Sequence, residues 1–314
     1  MKSIVVTGAT SMIGVALIEA CVKENIEVLA IVRRQSVHLD RLPKSSLITI
    51  CESSLDELES VDIEEKKYDV FYHFAWDYTS KTNRDNPILQ EKNIKYTLDA
   101  VELAKKLGCR KFIGAGSQAE YGKIDGMIRP DSSVSPLISY GMAKYAAGKL
   151  SEKRCSQLGM EFVWGRIFSV YGRYDNEGTM LVYAIDQWLD GNTAKFSAAT
   201  QMWDYLHEKD AGQIFYLLGK EPVKNGVYCI ASGQARPLKE FIMELKDCFG
   251  DSAACEFEKP SEHSSLLGLE ADISTLKDEI HYAPEIEFAE GVSDMIKFRT
   301  KLWNLRNIAR GGAK

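Results

Sequence analysis

The sequence lacks a long apolar run, a concentrated basic segment and an internal repeat. No uninterrupted apolar stretch approaches the roughly 18 residues of a membrane helix, and the residues after Met1 lead directly into a strand-like run. We therefore expect neither a membrane association nor a secretory signal. The net charge is -6, and the lysines and arginines are dispersed. This distribution excludes the basic surface typical of a nucleic-acid-binding protein.

The cysteines also lack a recognisable pattern. There are 7, an odd number without a Cys-x-x-Cys pair, and several stand singly among apolar residues, as Cys21 does. This usage is typical of reduced thiols and predicts a cytoplasmic protein without disulfides. We predict no metal site.

What the sequence does have is a regular alternation of strands and helices. Its 314 residues suggest about two domains, and the 45% apolar content suffices for a large core. Short β-branched runs predict strands at residues 3–7, 28–32, 70–74, 111–115, 162–170 and 226–231. Helical spacing predicts helices from about Ile13 and over residues 93–107. Alternating strands and helices predict an α/β fold with a doubly wound parallel (Rossmann) sheet.

Beyond about Arg173 the alternation weakens, which indicates a smaller C-terminal α/β domain. We expect a dinucleotide-binding domain over residues 1–172, with a return segment at 203–231. Residues 173–202 and 232–314 would then form a substrate-binding domain.

A glycine-containing turn directly follows the first predicted strand and opens the first helix. Glycines allow the backbone to approach a ligand closely, and the free amides of a helix N-terminus attract a pyrophosphate. The alternative is an ordinary tight turn between strand and helix. The predicted cofactor-binding residues here are Gly8, Thr10, Ser11, Met12, Ile13 and Gly14.

Two arginines, Arg33 and Arg34, follow the second predicted strand. An NAD-binding protein carries a carboxylate there for the ribose hydroxyls, whereas arginine suits the additional 2'-phosphate of NADP. NADP(H) is therefore predicted in preference to NAD(H). The alternative is a solvated basic pair on a loop.

Tyr140 and Lys144 form a Tyr-x-x-x-Lys pair, with Ser117 upstream. In a helix the four-residue offset places the phenol and the ammonium on one face, about one turn apart. A nearby cation favours the phenolate and so lowers the tyrosine pKa from about 10. The pattern predicts a proton-transfer site, although such a pair taken alone is more often a solvated helix face.

Together these features resemble the extended short-chain dehydrogenase/reductase superfamily, specifically the NAD-dependent epimerase/dehydratase family of sugar-nucleotide enzymes. The resemblance covers nearly the whole chain. Its further landmarks, in order, are Tyr72 to Ala75, Asn93, Arg166 to Gly172, Trp203 to Leu206, Asp210, Tyr282 to Pro284 and Phe288 to Gly291.

The resemblance implies roles for matching residues. Tyr140 would exchange a proton with the sugar oxygen, Lys144 would lower the pKa of Tyr140 and hold the nicotinamide ribose, and Ser117 would bond the same oxygen. Ala75 and Asn93 would lie at the cofactor, and Gln118 and Ser169 at the substrate. We leave His73 and Trp76 out of the catalytic set.

The chain also departs from the family pattern. Ser11 replaces a glycine in the turn, and Gln118 and Ala119 occupy the positions of the acidic pair that dehydratases use, which disfavours dehydration. Trp203 stands where many members carry a phosphate-binding arginine. The diphosphate would then depend on Arg173, Arg236 or Lys195, with Trp203 stacking on a base or packing in the core.

Two reactions fit this set of residues. A reductase of 4-keto nucleotide sugars is favoured by Arg33 and by the Ser-x-x-Glu-Tyr-Gly run that begins at Ser117, and a nucleotide-sugar 4-epimerase is the alternative. A non-catalytic dinucleotide-binding regulator is disfavoured because Ser117, Tyr140 and Lys144 occur together. The expected partners are a nucleoside-diphosphate sugar and, by resemblance, a second copy of the chain.

Overall fold

The computed structural model of the chain describes residues 1–63, 66–259 and 268–311, with side chains up to residue 308. The strands are β1 (Ser3–Thr7), β2 (Glu27–Val32), β3 (Ile48–Glu52), β4 (Val70–His73), β5 (Lys111–Ser117), β6 (Glu161–Ile167), β7 (Ser169–Tyr171), β8 (Ala194–Phe196), β9 (Met202–Trp203), β10 (Tyr205–His207), β11 (Gly226–Ile230), β12 (Arg236–Pro237) and β13 (Cys255–Phe257). The α-helices are α1 (Met12–Lys23), α2 (Pro87–Lys106), α3 (Ser139–Leu158), α4 (Met180–Leu189), α5 (Glu208–Lys220), α6 (Leu238–Phe249), α7 (Ser274–Ile280) and α8 (Phe288–Gly311).

The centre of the molecule is a seven-stranded sheet in the order β11-β6-β5-β4-β1-β2-β3. All neighbouring strands in it are parallel, and Thr7 of β1 is in register with Ile31 of β2 and His73 of β4. The strand order reverses between β1 and β4, so a crevice opens there at the carboxyl ends of the strands. The predicted doubly wound α/β fold is confirmed.

Alternate residues of β1 enter different cores because side chains of a strand point to opposite faces. Val6 packs with Leu17 of α1 and Phe215 of α5, whereas Val5 packs with Val101 of α2 and Ala147 of α3. The sheet is therefore covered by helices on both faces. Within the described ranges, no helix has both the length and the apolar character needed to cross a bilayer.

Two predicted elements differ from the observed ones. The helix predicted over residues 93–107 begins earlier, at Pro87, where the Asn86 side chain accepts a hydrogen bond from the Leu89 amide and caps it. The strand predicted over 162–170 is divided into β6 and β7, with Phe168 between them.

A smaller core lies beside the sheet and is formed by α4, α6 and α8. It contains several aromatic residues, including Trp188, Phe241 and Phe288. Three two-stranded pairs, β10 with β7, β12 with β9 and β13 with β8, frame this region. Residues of 269–280 pack instead on the core that contains β11, for example Leu276.

Candidate active site

A cleft of about 1200 Å³ lies between the large sheet and the smaller core. It extends from the turn after β1, past the ends of β4 and β5, to Trp203. The predicted site residues that line it are Gly8, Thr10, Ser11, Met12, Ile13, Arg33, Ala75, Ser117, Gln118, Tyr140, Lys144, Ser169, Arg173 and Trp203. The structure thus brings the predicted cofactor turn and the predicted proton-transfer group into one cavity.

The turn after β1 has the geometry of a close backbone approach. Gly8 has a φ of +69°, and a Cβ on it would lie 2.7 Å from the amide nitrogen of Ala75. Ser11 has an ordinary φ of -72°, so a side chain is accepted there. Its hydroxyl oxygen accepts a hydrogen bond from the Gly14 amide at 3.1 Å and caps α1. The amides of Met12 and Ile13, at the start of this helix, have no partner within it and suit a phosphate.

Ser117 ends β5 and is fixed by a buried carboxylate. Glu120 accepts hydrogen bonds from the Ser117 amide at 2.8 Å and from the Trp164 indole at 2.9 Å. It also forms an ion pair with Arg166 at 2.7 Å, and both side chains are almost completely buried. This network holds the backbone of Ser117 in place. The Glu of the Ser-x-x-Glu-Tyr-Gly run is therefore structural.

Tyr140 lies in the first turn of α3 with its ring between Trp76 and Arg84. The Trp76 ring centroid is 6.0 Å from that of Tyr140, edge to face, and the Arg84 guanidinium carbon is 4.2 Å from the Tyr140 centroid. Burial raises the pKa of the Tyr140 phenol, while the charge of Arg84 and a hydrogen bond with Ser117 act to lower it. Ser117 and Tyr140 are thus neighbours, as the sequence predicts.

Lys144 lies one turn further along α3, on the face that lines the cleft. Its ammonium donates to the Ala115 carbonyl at 2.6 Å and lies 3.7 Å from the Trp76 ring centroid. It is 5.8 Å from the ring centroid of Tyr140. Burial lowers the pKa of Lys144 to about 7, so near neutrality its charge is only partly present.

Five predicted cofactor or substrate residues do not line this cleft: Gly14, Arg34, Asn93, Lys195 and Arg236. Arg34 pairs with Glu57 at 3.0 Å, whereas its neighbour Arg33 lines the cleft. Asn93 accepts from the Asp77 amide at 2.8 Å and donates to the Asp77 carbonyl at 3.2 Å, so it supports the loop after β4. Gly14 packs under the turn, where a Cβ would lie 2.3 Å from the Gly8 carbonyl oxygen.

The basic residues predicted for the diphosphate all have acidic partners. Arg173 lines the cleft but pairs with Glu208 and, at 2.7 Å, with Glu19. Arg236 pairs with Glu244 and lies 4.0 Å from the Phe241 ring centroid. The exposed Lys195 pairs with Glu256 at 3.4 Å. These charges are compensated within the protein.

Four lining arginines escape the sequence patterns; Arg299 and Arg306 pair with Asp186 and Glu177, and the other two are Arg84 and Arg41. Arg84 comes from the loop before α2 and stacks on Tyr140. Arg41 donates from Nη1 to the Thr10 carbonyl at 3.3 Å, beside the phosphate turn, and lies 4.7 Å from the Tyr174 ring centroid. No motif marks either residue, because both reach the cleft through contacts between distant segments. Trp76, left out of the catalytic set, packs against both Tyr140 and Lys144.

Comparison with known proteins gives concordant results. The family model "NAD dependent epimerase/dehydratase family" matches residues 4–231. The dTDP-4-dehydro-6-deoxyglucose reductase of Escherichia coli is 24% identical over 94% of this chain and 97% of its own length. The UDP-glucuronate 4-epimerase of Thermodesulfobacterium geofontis is 25% identical, with 96% of each chain covered.

The fold of solved enzymes is also shared. A mutant UDP-glucuronic acid 4-epimerase from Bacillus cereus, in complex with UDP-4-deoxy-4-fluoro-glucuronic acid and NAD, superposes with a TM-score of 0.82. It is 22% identical, and the match covers 96% of this chain and 99% of that one. The phosphate turn, the Ser117, Tyr140 and Lys144 constellation and the family match agree: this chain is an enzyme that belongs to the NAD-dependent epimerase/dehydratase family.

Proposed function

We propose that the protein is an NAD(P)(H)-dependent oxidoreductase that acts at C4 of a nucleoside-diphosphate sugar, as a reductase of the 4-keto form. The observation that carries this proposal is the contact of Ser117 with Tyr140 inside the cleft that also contains the Gly8 turn. The turn fits a dinucleotide, because Gly8 leaves no room for a Cβ against Ala75 and the first amides of α1 are available.

The residues of the cleft have separate roles in this reaction. When bound, the nicotinamide supplies the hydride chemistry. Tyr140 donates a proton to the sugar oxygen at C4, and Ser117 hydrogen-bonds the same oxygen. Lys144 holds the nicotinamide ribose. Ser169, Gln118 and Trp203 line the remainder of the cleft and are the proposed substrate contacts.

The second candidate is a 4-epimerase, which the same residues would serve. It is supported by the 4-epimerase among the relatives that span nearly the whole chain. Reduction is favoured by Arg33 in the cleft, and the E. coli reductase among the relatives is consistent with it. The positions of the dehydratase acidic pair hold Gln118 and Ala119, so dehydration is disfavoured.

A substrate panel tests the proposal. Nucleotide sugars and their 4-keto derivatives are incubated with the enzyme and NADPH or NADH, and both the reduced-nicotinamide absorbance and the C4 configuration are followed. A reductase consumes cofactor in proportion to product, whereas an epimerase changes the C4 configuration without net consumption. Absence of either change across the panel, with the cofactor bound, would contradict both functions.

We propose NADP(H) as the preferred cofactor because Arg33, His38 and Arg41 line the cleft beyond β2. Replacing Arg33 by alanine should weaken NADPH binding by about tenfold or more, since a charge-assisted bond contributes about 1.5–3 kcal/mol, and should leave NADH binding nearly unchanged. Calorimetric titration of both cofactors measures this. Arg34→Ala is the matched control, because Arg34 pairs with Glu57. Equal losses for the two cofactors in Arg33→Ala would remove the preference.

A homodimer and a cytoplasmic location complete the proposal. Helices α2 and α3 pack side by side, and their surfaces carry the exposed apolar residues Ile88, Met142 and Leu150. Such a face suits a four-helix contact between two copies, which analytical ultracentrifugation of the chain and of Met142→Glu would test.

The free state of all seven cysteines supports a reducing compartment. We keep the division into residues 1–172 with 203–231 and residues 173–202 with 232–314 as a proposal.

A further inference from the structure

Arg84 occupies a position that the proposed mechanism has not used. It lies on the loop between β4 and α2, lines the cleft, and stacks its guanidinium 4.2 Å from the ring centroid of Tyr140. At this separation a cation interacts with the face of an aromatic ring, and it interacts more strongly if that ring becomes a phenolate.

The loop that carries Arg84 is fastened to the start of α3. The Arg84 carbonyl accepts a hydrogen bond from the Tyr140 amide at 2.9 Å. Next to it, one carboxylate oxygen of Asp85 accepts from the Ser139 amide at 3.0 Å and from its hydroxyl at 3.1 Å. On the other side, the Gln90 amide donates to the Asn83 carbonyl at 3.1 Å. These hydrogen bonds fix the backbone of Arg84 next to that of Tyr140, so the two side chains start from neighbouring positions.

Within the part of the chain that the structure describes, no acidic side chain pairs with Arg84. Among the same residues, its Nε is buried without a hydrogen-bond partner. A guanidinium also keeps its charge at every pH of interest. Lys144 differs from Arg84 in this respect, because burial lowers its pKa to about 7; its ammonium also donates to the Ala115 carbonyl.

We propose that Arg84 is a positioning residue that holds a permanent positive charge against Tyr140 and stabilises its phenolate, a task that the family resemblance gives to Lys144. The inference rests on the proposed proton-transfer role of Tyr140. Unlike the ammonium of Lys144, the guanidinium of Arg84 supplies this charge over the whole pH range in which the protein is folded.

The other charged groups near Tyr140 do not replace this contribution. Glu120, which accepts a hydrogen bond from the Ser117 amide, raises the pKa of Tyr140 through its negative charge. This charge is paired with Arg166. Asp85 is engaged with Ser139. Arg84 is the charge that lowers the pKa of Tyr140, against the larger opposing effect of burial.

The kinetic test compares pH profiles of kcat/KM. Removing the charge in Arg84→Met should move the limb that reports Tyr140 upward by about one pH unit. In the reductase Tyr140 is a general acid and limits kcat/KM at alkaline pH, whereas as a general base in the epimerase it limits kcat/KM at acidic pH. A higher pKa of Tyr140 moves either limb of the pH profile to higher pH, so the expected direction is the same for both reactions. Arg84→Lys should restore at least half of the shift. Arg154→Met, which removes an exposed arginine of α3, is the control and should leave the profile unchanged.

A second measurement needs no substrate and separates failure of this inference from failure of the proposed function. The fraction of Tyr140 phenolate is followed by NMR of protein labelled at tyrosine Cζ, with the signal assigned by its loss in Tyr140→Phe. Between pH 9 and 11 the parent protein should contain several-fold more phenolate than Arg84→Met. The proposal would be overturned if the Tyr140 titration curves of the parent protein and Arg84→Met were superimposable, or if neither protein showed a titration. This holds whatever reaction the enzyme performs.

Discussion

The two sides of the cleft treat positive charge differently. On the side of the large sheet, Arg84 stacks on Tyr140, and Arg41 contacts the Thr10 carbonyl and the Tyr174 ring. On the side of the smaller core, the lining residues Arg173, Arg299 and Arg306 are paired with Glu208, Asp186 and Glu177. A compensated arginine has less attraction left for a phosphate. The first side therefore keeps positive charge available for ligand chemistry, whereas the arginines of the second side are held in ion pairs within the protein.

The largest expected effect removes the reactive group of the first side. Replacing Tyr140 by phenylalanine keeps the ring against Trp76 and Arg84 but removes the hydroxyl, so kcat should fall by about a thousandfold. The dissociation constant of the cofactor should change less than about threefold, because the phosphate turn is untouched. Steady-state kinetics and calorimetric titration measure the two quantities.

Tyr145→Phe is the matched control, since Tyr145 lies on the same helix and is 37% exposed. It should retain full activity. If Tyr140→Phe also remained fully active, the proton would have to come from a group other than Tyr140. The side of the large sheet would then no longer be assigned the proton transfer.

The predicted residues of the first side carry local sequence signals. Gly8 to Gly14 is one turn, and Tyr140 and Lys144 are one helical turn apart, so short-range patterns determine their placement. Edge strand β3 was missed because all five of its residues are partly or fully exposed and lack a continuous apolar run. Arg84 was missed, and the ion pairs of Arg173 and Arg236 were not foreseen, because these contacts join segments distant in the sequence. Arg33 and Arg34 are adjacent, and only the structure shows which one faces the cleft.

The next effect tests the second side through Arg173. Its partner Glu208 has a side chain only 1% exposed, so Arg173→Met leaves a buried carboxylate unpaired. The free energy of unfolding should fall by about 3 kcal/mol, and the substrate KM should rise less than about threefold. Urea unfolding and steady-state kinetics measure the two effects.

The double variant Arg173→Met with Glu208→Gln should recover more than half of the lost stability, because no unpaired charge remains. Arg236→Met is the control, since its pair with Glu244 is more exposed and should contribute less than about 1 kcal/mol. A tenfold rise in KM with unchanged stability would instead make Arg173 a diphosphate ligand and would erase the contrast between the two sides.

The smallest effect concerns Asp175, which lines the cleft on the side of the smaller core. Burial raises its pKa to about 6, although the Thr179 hydroxyl, at 3.0 Å, and the Asn176 amide, at 2.7 Å, donate to the carboxylate. The folded pKa exceeds the unfolded value of about 3.9, so the folded state binds more protons between pH 4 and 6. The contribution of Asp175 to stability is thus present at low pH and is lost as the pH rises through this window.

Asp175→Asn cannot ionise and should escape that loss. Relative to the parent protein, its free energy of unfolding should increase by about 1–2 kcal/mol between pH 4.5 and pH 7, whatever the absolute cost of the changed hydrogen bonds. Urea unfolding at the two pH values gives this difference, and the exposed Asp131→Asn serves as the control. A constant difference between variant and parent would mean that Asp175 is stabilised as a carboxylate. In that case a positively charged group would stabilise the Asp175 carboxylate. Asp175 would then resemble the paired arginines of the second side, whose charges are also compensated within the protein.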